Sequence, residues 1–314
     1  MMSLRIRCSR LSLMLTLLIV GAPLHARAGD HAVHMDIRNL IPVVQVMVNG
    51  RGPFTFSIDT GTGGEALISP DLVRTLGLTS LGDTNVGDSS GMNTTKSPVF
   101  RLKSIKVAGV EFTNIKVAVH QPTSREQGCD GILGFTLFRD YLFSLDYADH
   151  QLVLSSGSLR PDGGNTVLPF TMPDNIPLIE LRIGDNRIGA QLDSGGMGLD
   201  VPREFARGLQ FTSEPVVIAH GHTVSNDFEI EGAVLASDVQ LGSYTIAHPF
   251  VEINPVFHLA NFGAIPLQHF AVTFDQKNNL VQFVAASRTV VVEPPRIITP
   301  HAEHESMPGH SAAQ

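Results

Sequence analysis

The sequence predicts an all-β protein of two lobes with a cleft between them. Three observations carry that prediction: short apolar alternations bounded by turns, a composition rich in Gly and Pro, and one long pattern that occurs twice. The 314 residues suffice for two lobes of ordinary domain size. Hydrophobic residues make up 43% and charged residues 17%, which suits buried cores. The 29 Gly and 19 Pro favour many short strands joined by turns over long helices.

The first copy of the pattern begins at Ile41-Pro42 and alternates Val44, Val46 and Val48. It turns at Asn49-Gly50, then alternates Phe54, Phe56 and Ile58 into Asp59-Thr60-Gly61. The second begins at Ile176-Pro177, alternates Ile179, Leu181 and Ile183, and turns at Gly184-Asp185-Asn186. It then runs from Ile188 to Leu192 into Asp193-Ser194-Gly195. Alternation around a Gly/Asn/Asp turn is the hairpin pattern.

Both copies continue alike. A helix follows, capped by Ser69 with Pro70 at its first position, and Pro202 plays that part in the second copy. Polar, Gly-containing stretches come next, at 86–95 and 219–226. Further hairpins turn at Ala108-Gly109 and at Gly242-Ser243. Each copy closes on a Gly followed by an apolar strand ending in Asp, Gly134 to Asp146 and Gly263 to Asp275, at equal spacing. Five matched features in one order imply duplication. A pseudo-twofold axis would then bring both Asp loops into one cleft.

The ends of the chain are of a different character. Arg5, Arg7 and Arg10 precede an apolar run from Leu11 to Val20, and Ala26-Arg27-Ala28 reads as a cleavage signal. Residues 1–28 are therefore expected to be a signal peptide, and the protein to be exported, periplasmic or secreted. Cleavage after Ala28 removes four of the 22 Lys+Arg and none of the 30 Asp+Glu, so the net charge moves from −8 to −12. That balance argues against nucleic-acid partners and against an anionic membrane surface. Residues 29–155 are expected to form the first lobe, 156–165 a linker rich in Ser and Gly, and 166–288 the second lobe. Residues 289–314 are expected to be a disordered tail. Of the two Cys, Cys8 falls in the signal, so Cys129 has no partner for a disulfide and reads as a buried thiol.

A single Asp-Thr/Ser-Gly triplet is no more than a turn with local hydrogen bonds. Two at corresponding points of a repeat are a candidate site. The residues Ile58-Asp59-Thr60-Gly61-Thr62 and Leu192-Asp193-Ser194-Gly195 resemble the paired active-site loops of aspartic peptidases. Asp130-Gly131-Ile132-Leu133-Gly134 resembles the apolar-apolar-Gly segment that packs beneath the first loop in pepsin-like members, and residues 263–283 resemble their closing strand pair. The hairpin entering Asp59 is closer to bacterial retropepsin-like proteins. The resemblance spans about Ile41 to Val284.

The resemblance implies a pepsin/retropepsin-like fold and an aspartic endopeptidase that hydrolyses peptide bonds with a water activated between Asp59 and Asp193. Two close carboxylates share a proton, so one can act as base and the other as acid, with no cofactor and no metal. It implies that Thr60 and Ser194 bond across to the opposite loop, and that Gly61 and Gly195 allow close approach. It also implies that Ile132, Leu133, Gly134 and Gly263 pack beneath the loops, and that Gly87, Asp88, Ser89, Ser90 and Gly91 form a flap. A peptide or protein substrate follows, with no membrane association after signal cleavage and a monomer whose dyad is intramolecular. The alternative is a catalytically weak or inactive peptide-binding protein of the same fold. Two departures motivate it: Thr62 can bond Asp59 whereas its counterpart Gly196 cannot bond Asp193, and Asn261-Phe262-Gly263 puts an amide where Ile132 stands in the first copy. None of Tyr141, Tyr147 and Tyr244 lies in the flap.

Other signals read more plainly. His220-Gly221-His222 has two His at alternate strand positions but no evident third ligand, so a solvated role is expected. The tail residues His301, His304 and His310 read as part of a polar tail. Gly61-Thr62-Gly63-Gly64 lacks the Gly-Lys-Ser/Thr ending of a phosphate loop. Asp200, Asp227 and Asp238 are expected to be solvated strand-end residues.

Overall fold

The computed structural model describes residues 30–87, 94–222 and 227–292. The chain is all β and two-lobed, its strands forming three sheets. An eight-stranded sheet is built from the first half and a ten-stranded sheet from the second. Both halves contribute to a six-stranded sheet.

The hairpins form where alternation meets a turn residue that accepts positive φ. Ile41–Val48 and Arg51–Asp59 pair antiparallel about Asn49 and Gly50, at φ 52° and 74°. Two successive left-handed residues give the turn whose twist suits a hairpin. Leu178–Ile183 and Asn186–Leu192 pair likewise, with the turn at Gly184 and Asp185. Alternate apolar residues of these strands, Val44, Val46 and Val48 in one and Ile179, Leu181 and Ile183 in the other, are buried. The helix Pro70–Leu76 starts as expected, with the Ser69 hydroxyl accepting from the Leu72 N–H. The second helix, Arg203–Ala206, starts differently. Pro202 precedes it at the cap position and supplies no side-chain hydrogen bond, having no donor or acceptor to offer.

Beneath each Asp loop the strands pair in one arrangement. In the first lobe Arg51–Asp59 runs parallel to Gly131–Gly134, which runs antiparallel to Ala66–Ile68, itself parallel to Val110–Val119. In the second, Asn186–Leu192 runs parallel to Ala260–Phe262, which runs antiparallel to Leu199–Pro202, itself parallel to Phe250–Asn254.

The six-stranded sheet joins the halves. Its central pair is Leu142–Asp146 against Ala271–Asp275, with Ser144 opposite Thr273 and their hydroxyls 2.7 Å apart. Outward from that pair each half adds two strands, Gln151–Ser155 and His31–His34 on one side, Leu280–Val284 and Val167–Pro169 on the other. Phe143 and Phe274 stack at 5.6 Å across the central pair, and Phe135 meets Phe274 edge-on at 5.1 Å. Such contacts add about 0.5–1.5 kcal/mol each beyond burial.

Hydrogen bonds and strand pairing hold residues of the expected linker and the first two residues of the expected tail. Within 156–165, the Leu159 N–H donates to Asp275, and the Asp162 carboxylate accepts from the backbone of Asn165, Thr166 and Val167. Thr289–Val290, expected in the tail, instead pairs in parallel with Tyr244–Ile246, and Val290 and Val292 are buried. Apolar side chains with a sheet edge to join override the polar composition around them. The expected signal, residues 88–93 of the expected flap and the tail beyond 292 lie outside the described residues. Among the described residues no helix is long and apolar enough to cross a membrane.

Candidate active site

Asp59 ends its strand opposite Gly134, and Asp193 follows its own strand, its N–H donating to Phe262 O. The two loops cross. The Thr60 hydroxyl donates to Leu192 O at 2.6 Å and accepts from the Ser194 N–H at 2.9 Å. In return the Ser194 hydroxyl donates to Ile58 O at 2.8 Å and accepts from the Thr60 N–H at 3.0 Å. Both hydroxyls are buried, and each is satisfied as donor and acceptor only by the opposite lobe. Losing one would leave buried backbone groups without partners, at about 1–3 kcal/mol.

The crossing brings each carboxyl against the glycine of the other loop. A Cβ on Gly61 would lie 2.6 Å from Asp193 Cγ, and one on Gly195 would lie 2.5 Å from Asp59 Cγ. Neither glycine needs positive φ. Both are required by proximity, since any side chain would occupy the opposite carboxyl. The supporting glycines obey the same logic: a Cβ on Gly134 would lie 2.3 Å from Gly64 O, and one on Gly263 2.6 Å from Gly198 O. Ile132 and Leu133 are buried beneath the first loop. Gly87 ends the strand Asp83–Gly87, while Asp88, Ser89, Ser90 and Gly91 lie outside the described residues.

The carboxyls are held differently. Asp59 Oδ1 accepts the Gly61 N–H at 2.8 Å and its Oδ2 accepts the Thr62 hydroxyl at 2.8 Å. Asp193 Oδ1 accepts two backbone N–H groups, from Gly195 at 2.9 Å and Gly196 at 2.8 Å. A second backbone donor thus meets the carboxyl for which Gly196 offers no hydroxyl. Burial, and then the charge of Asp193, push the Asp59 carboxyl up to about 8 against the pull of the Thr62 hydroxyl. The folded chain therefore keeps a proton that an unfolded Asp gives up near pH 4. That stability is complete below about pH 4 and is lost as pH rises toward about 8.

The surroundings of the second loop correct one expectation. Asp200 is no solvated strand-end residue: it is 6% exposed, in the floor beneath Asp193. There it lies across from Asn261 and beside Glu252. Arg125, from the first lobe, donates to Gly195 O at 2.8 Å and Gly196 O at 3.4 Å. Sequence reasoning missed Glu252 and Arg125. An acid at Asp200 between the buried Leu199 and Val201 was the available signal. Arg125, in a loop with no periodicity, gave none. Cys129 is half-buried, and burial pushes its thiol up, away from reactive thiolate. His220 is exposed, and the described residues contain no group of three or more His, Cys, Asp or Glu placed to hold a metal ion.

The paired Asp loops of this two-lobed β fold lock through Thr60 and Ser194. Residues 44–137 match the family model described as aspartyl protease, a stretch that includes Asp59, Thr60, Gly61 and Thr62 and ends before Asp193. The match supports an aspartic peptidase family for this chain. No curated protein matched the sequence in a direct search.

Proposed function

We propose that this chain is an aspartic endopeptidase that hydrolyses extended peptides with Asp59 and Asp193 as its catalytic pair. The observation that carries the reading is the crossed loop contact, which sets each carboxyl against the other loop's glycine. Asp59, whose surroundings favour its neutral form, holds the proton of the resting pair. Asp193, ionised, takes a proton from a water lying between them, and the water oxygen attacks the peptide carbonyl carbon. Asp59 donates its proton to the carbonyl oxygen, so the tetrahedral intermediate is neutral overall. Asp193 then gives the proton it took to the amide nitrogen while Asp59 takes one back from a hydroxyl of the intermediate, and the C–N bond breaks to leave an acid and an amine. No covalent acyl intermediate forms.

A single chain supplies both acids, so the active unit is a monomer. The basic n-region, apolar run and Ala26-Arg27-Ala28 support export and action in the periplasm or outside the cell. N-terminal sequencing of the mature protein tests that part, with Gly29 the expected first residue.

The main test is Asp59→Asn against a peptide library. Cleavage should fall by about 10²–10⁴-fold with the melting transition retained; unchanged cleavage overturns the reading. A second reading, a peptide-binding protein of this fold without turnover, is motivated by the polar floor beneath Asp193 and the glycine at 196. Binding of a transition-state mimic such as pepstatin, with no peptide cleaved between about pH 3 and 7, would favour it.

A further inference from the structure

The polar inset under the second loop has no part in the chemistry above. Asp200 and Asn261 are each about 6% exposed. Asp200 and Glu252 are register partners on neighbouring parallel strands, which sets two acids side by side. Asp200 Oδ1 is buried without a partner. The inset reaches the catalytic loop at two points. A Cβ built on Gly196 would lie 2.2 Å from Asn261 Nδ2 and 2.6 Å from Asp193 Oδ2, so the amide and the carboxylate crowd one corner of the loop. A Cβ on Gly198 would lie 2.6 Å from Glu252 Oε1, so this stretch of the loop lies directly on the acid pair.

Arg125 links the inset to the first lobe. Besides holding Gly195 O and Gly196 O, its guanidinium interacts favourably with Glu252, Asp193 and Asp59. It is itself fixed: Nε and Nη2 donate to Asn39 O, and Glu126 pins its loop by accepting from the Thr123 N–H and pairing with His120 at 2.9 Å.

We propose that Asp200 and Glu252 hold one shared proton and, with Arg125 and Asn261, form a positioning network that clamps the second Asp loop to the first lobe and slackens when that proton leaves. With one proton the acid pair carries a single negative charge, opposed by Arg125. Without it, two negative charges face Asp193 in a buried site that still has one cation. The other charged groups facing that cation are Glu126 and Asp59; Asn261 is neutral. Burial, and then the Glu252 charge, raise Asp200 well above the carboxylate range. Burial likewise raises Glu252, against the pull of the Asp200 carboxyl and the charge of Arg125. Both shifts have the same sign: the folded chain binds a proton that the unfolded chain has lost above about pH 4, so stability falls as pH rises.

The proposal depends on the peptidase reading only for its effect on cleavage, so the decisive test uses full-length Asp59→Asn protein, whose catalytic pair no longer titrates as a pair. Its melting temperature is followed from about pH 4 to 9. It should fall with rising pH. Adding Asp200→Asn or Glu252→Gln should each remove about half of that fall or more, and adding Arg125→Gln should steepen it. An unchanged slope in the first two, or in the third, overturns the network; should Asp200→Asn not fold, Glu252→Gln decides alone. In otherwise native protein, Glu252→Gln should move the alkaline limb of the kcat profile with KM little changed, whereas a change in KM alone would overturn the positioning role. Absence of cleavage at every pH would refute the peptidase reading and leave the melting result intact.

Discussion

The floor beneath Asp59 is built from Leu67, Ile132 and Ala118, whereas the floor beneath Asp193, in the same strand register, is built from Asp200, Asn261 and Glu252. The backbone frame is alike in both: one parallel partner for the Asp strand, one antiparallel neighbour, one further parallel strand. What differs is how the interior is satisfied. Beneath Asp59, dispersion and burial suffice. Beneath Asp193, three polar side chains meet one another, and the arginine of the other lobe offsets their charge. The ladder hydrogen bonds hold each loop at its height, and the side chains beneath are free to be inert or responsive.

Exchanging residues between the floors gives the largest expected effect. Ile132→Asn would remove a buried branched side chain and bury an amide among apolar neighbours, costing about 3–5 kcal/mol in a denaturant titration. The reverse change, Asn261→Ile, should cost markedly less, since it removes an amide whose Oδ1 already lacks a partner. Equal costs would mean that the floors do not differ as described.

A smaller effect probes what the lobes share. Gly195→Ala and Gly61→Ala each drive a methyl into the opposite carboxyl, at about 1–3 kcal/mol of overpacking and with loss of cleavage in both. An alanine variant that kept both stability and activity would show that the carboxyls are not pressed against these glycines. The smallest effect separates the two acids. Thr62→Ala removes a donor to ionised Asp59, so its carboxyl should titrate higher still, with a stability cost of about 1 kcal/mol or less. The alkaline limb of the pH–rate profile should move upward, and a downward move would reverse the assigned role of the hydroxyl.

Much of this was readable from spacing. Val44, Val46 and Val48 announce a strand because one face is buried, and Asn49-Gly50 announces its turn because both residues accept positive φ. The bonds of Thr60 and Ser194 across the loops, by contrast, come from the resemblance to aspartic peptidases and not from spacing. The polar floor was not legible in the same way. Glu252 lies 52 residues beyond Asp200 and becomes its neighbour only through a parallel pairing, which no local periodicity encodes. Arg125 is positioned by the turn around Glu126, whose hydrogen bonds depend on chain reversal rather than on alternation. The charge of Asp200 suggests a solvated position; the neighbours that surround it, Glu252 and Asn261, come from two other strands distant in sequence.

The strand pair at Ser144 and Thr273 has a consequence for biosynthesis. Its two partners lie 129 residues apart, and the strand Leu280–Val284 must also be in place before that sheet is whole. Contacts between such distant segments form late, because the intervening chain must first be made and then closed into a loop. Until Asp193 is in place, Asp59 lacks the neighbouring charge that helps raise its carboxyl in the folded chain. A nascent or truncated polypeptide that ends before Ala271–Asp275 therefore has Asp59 without the sheet that joins the two halves.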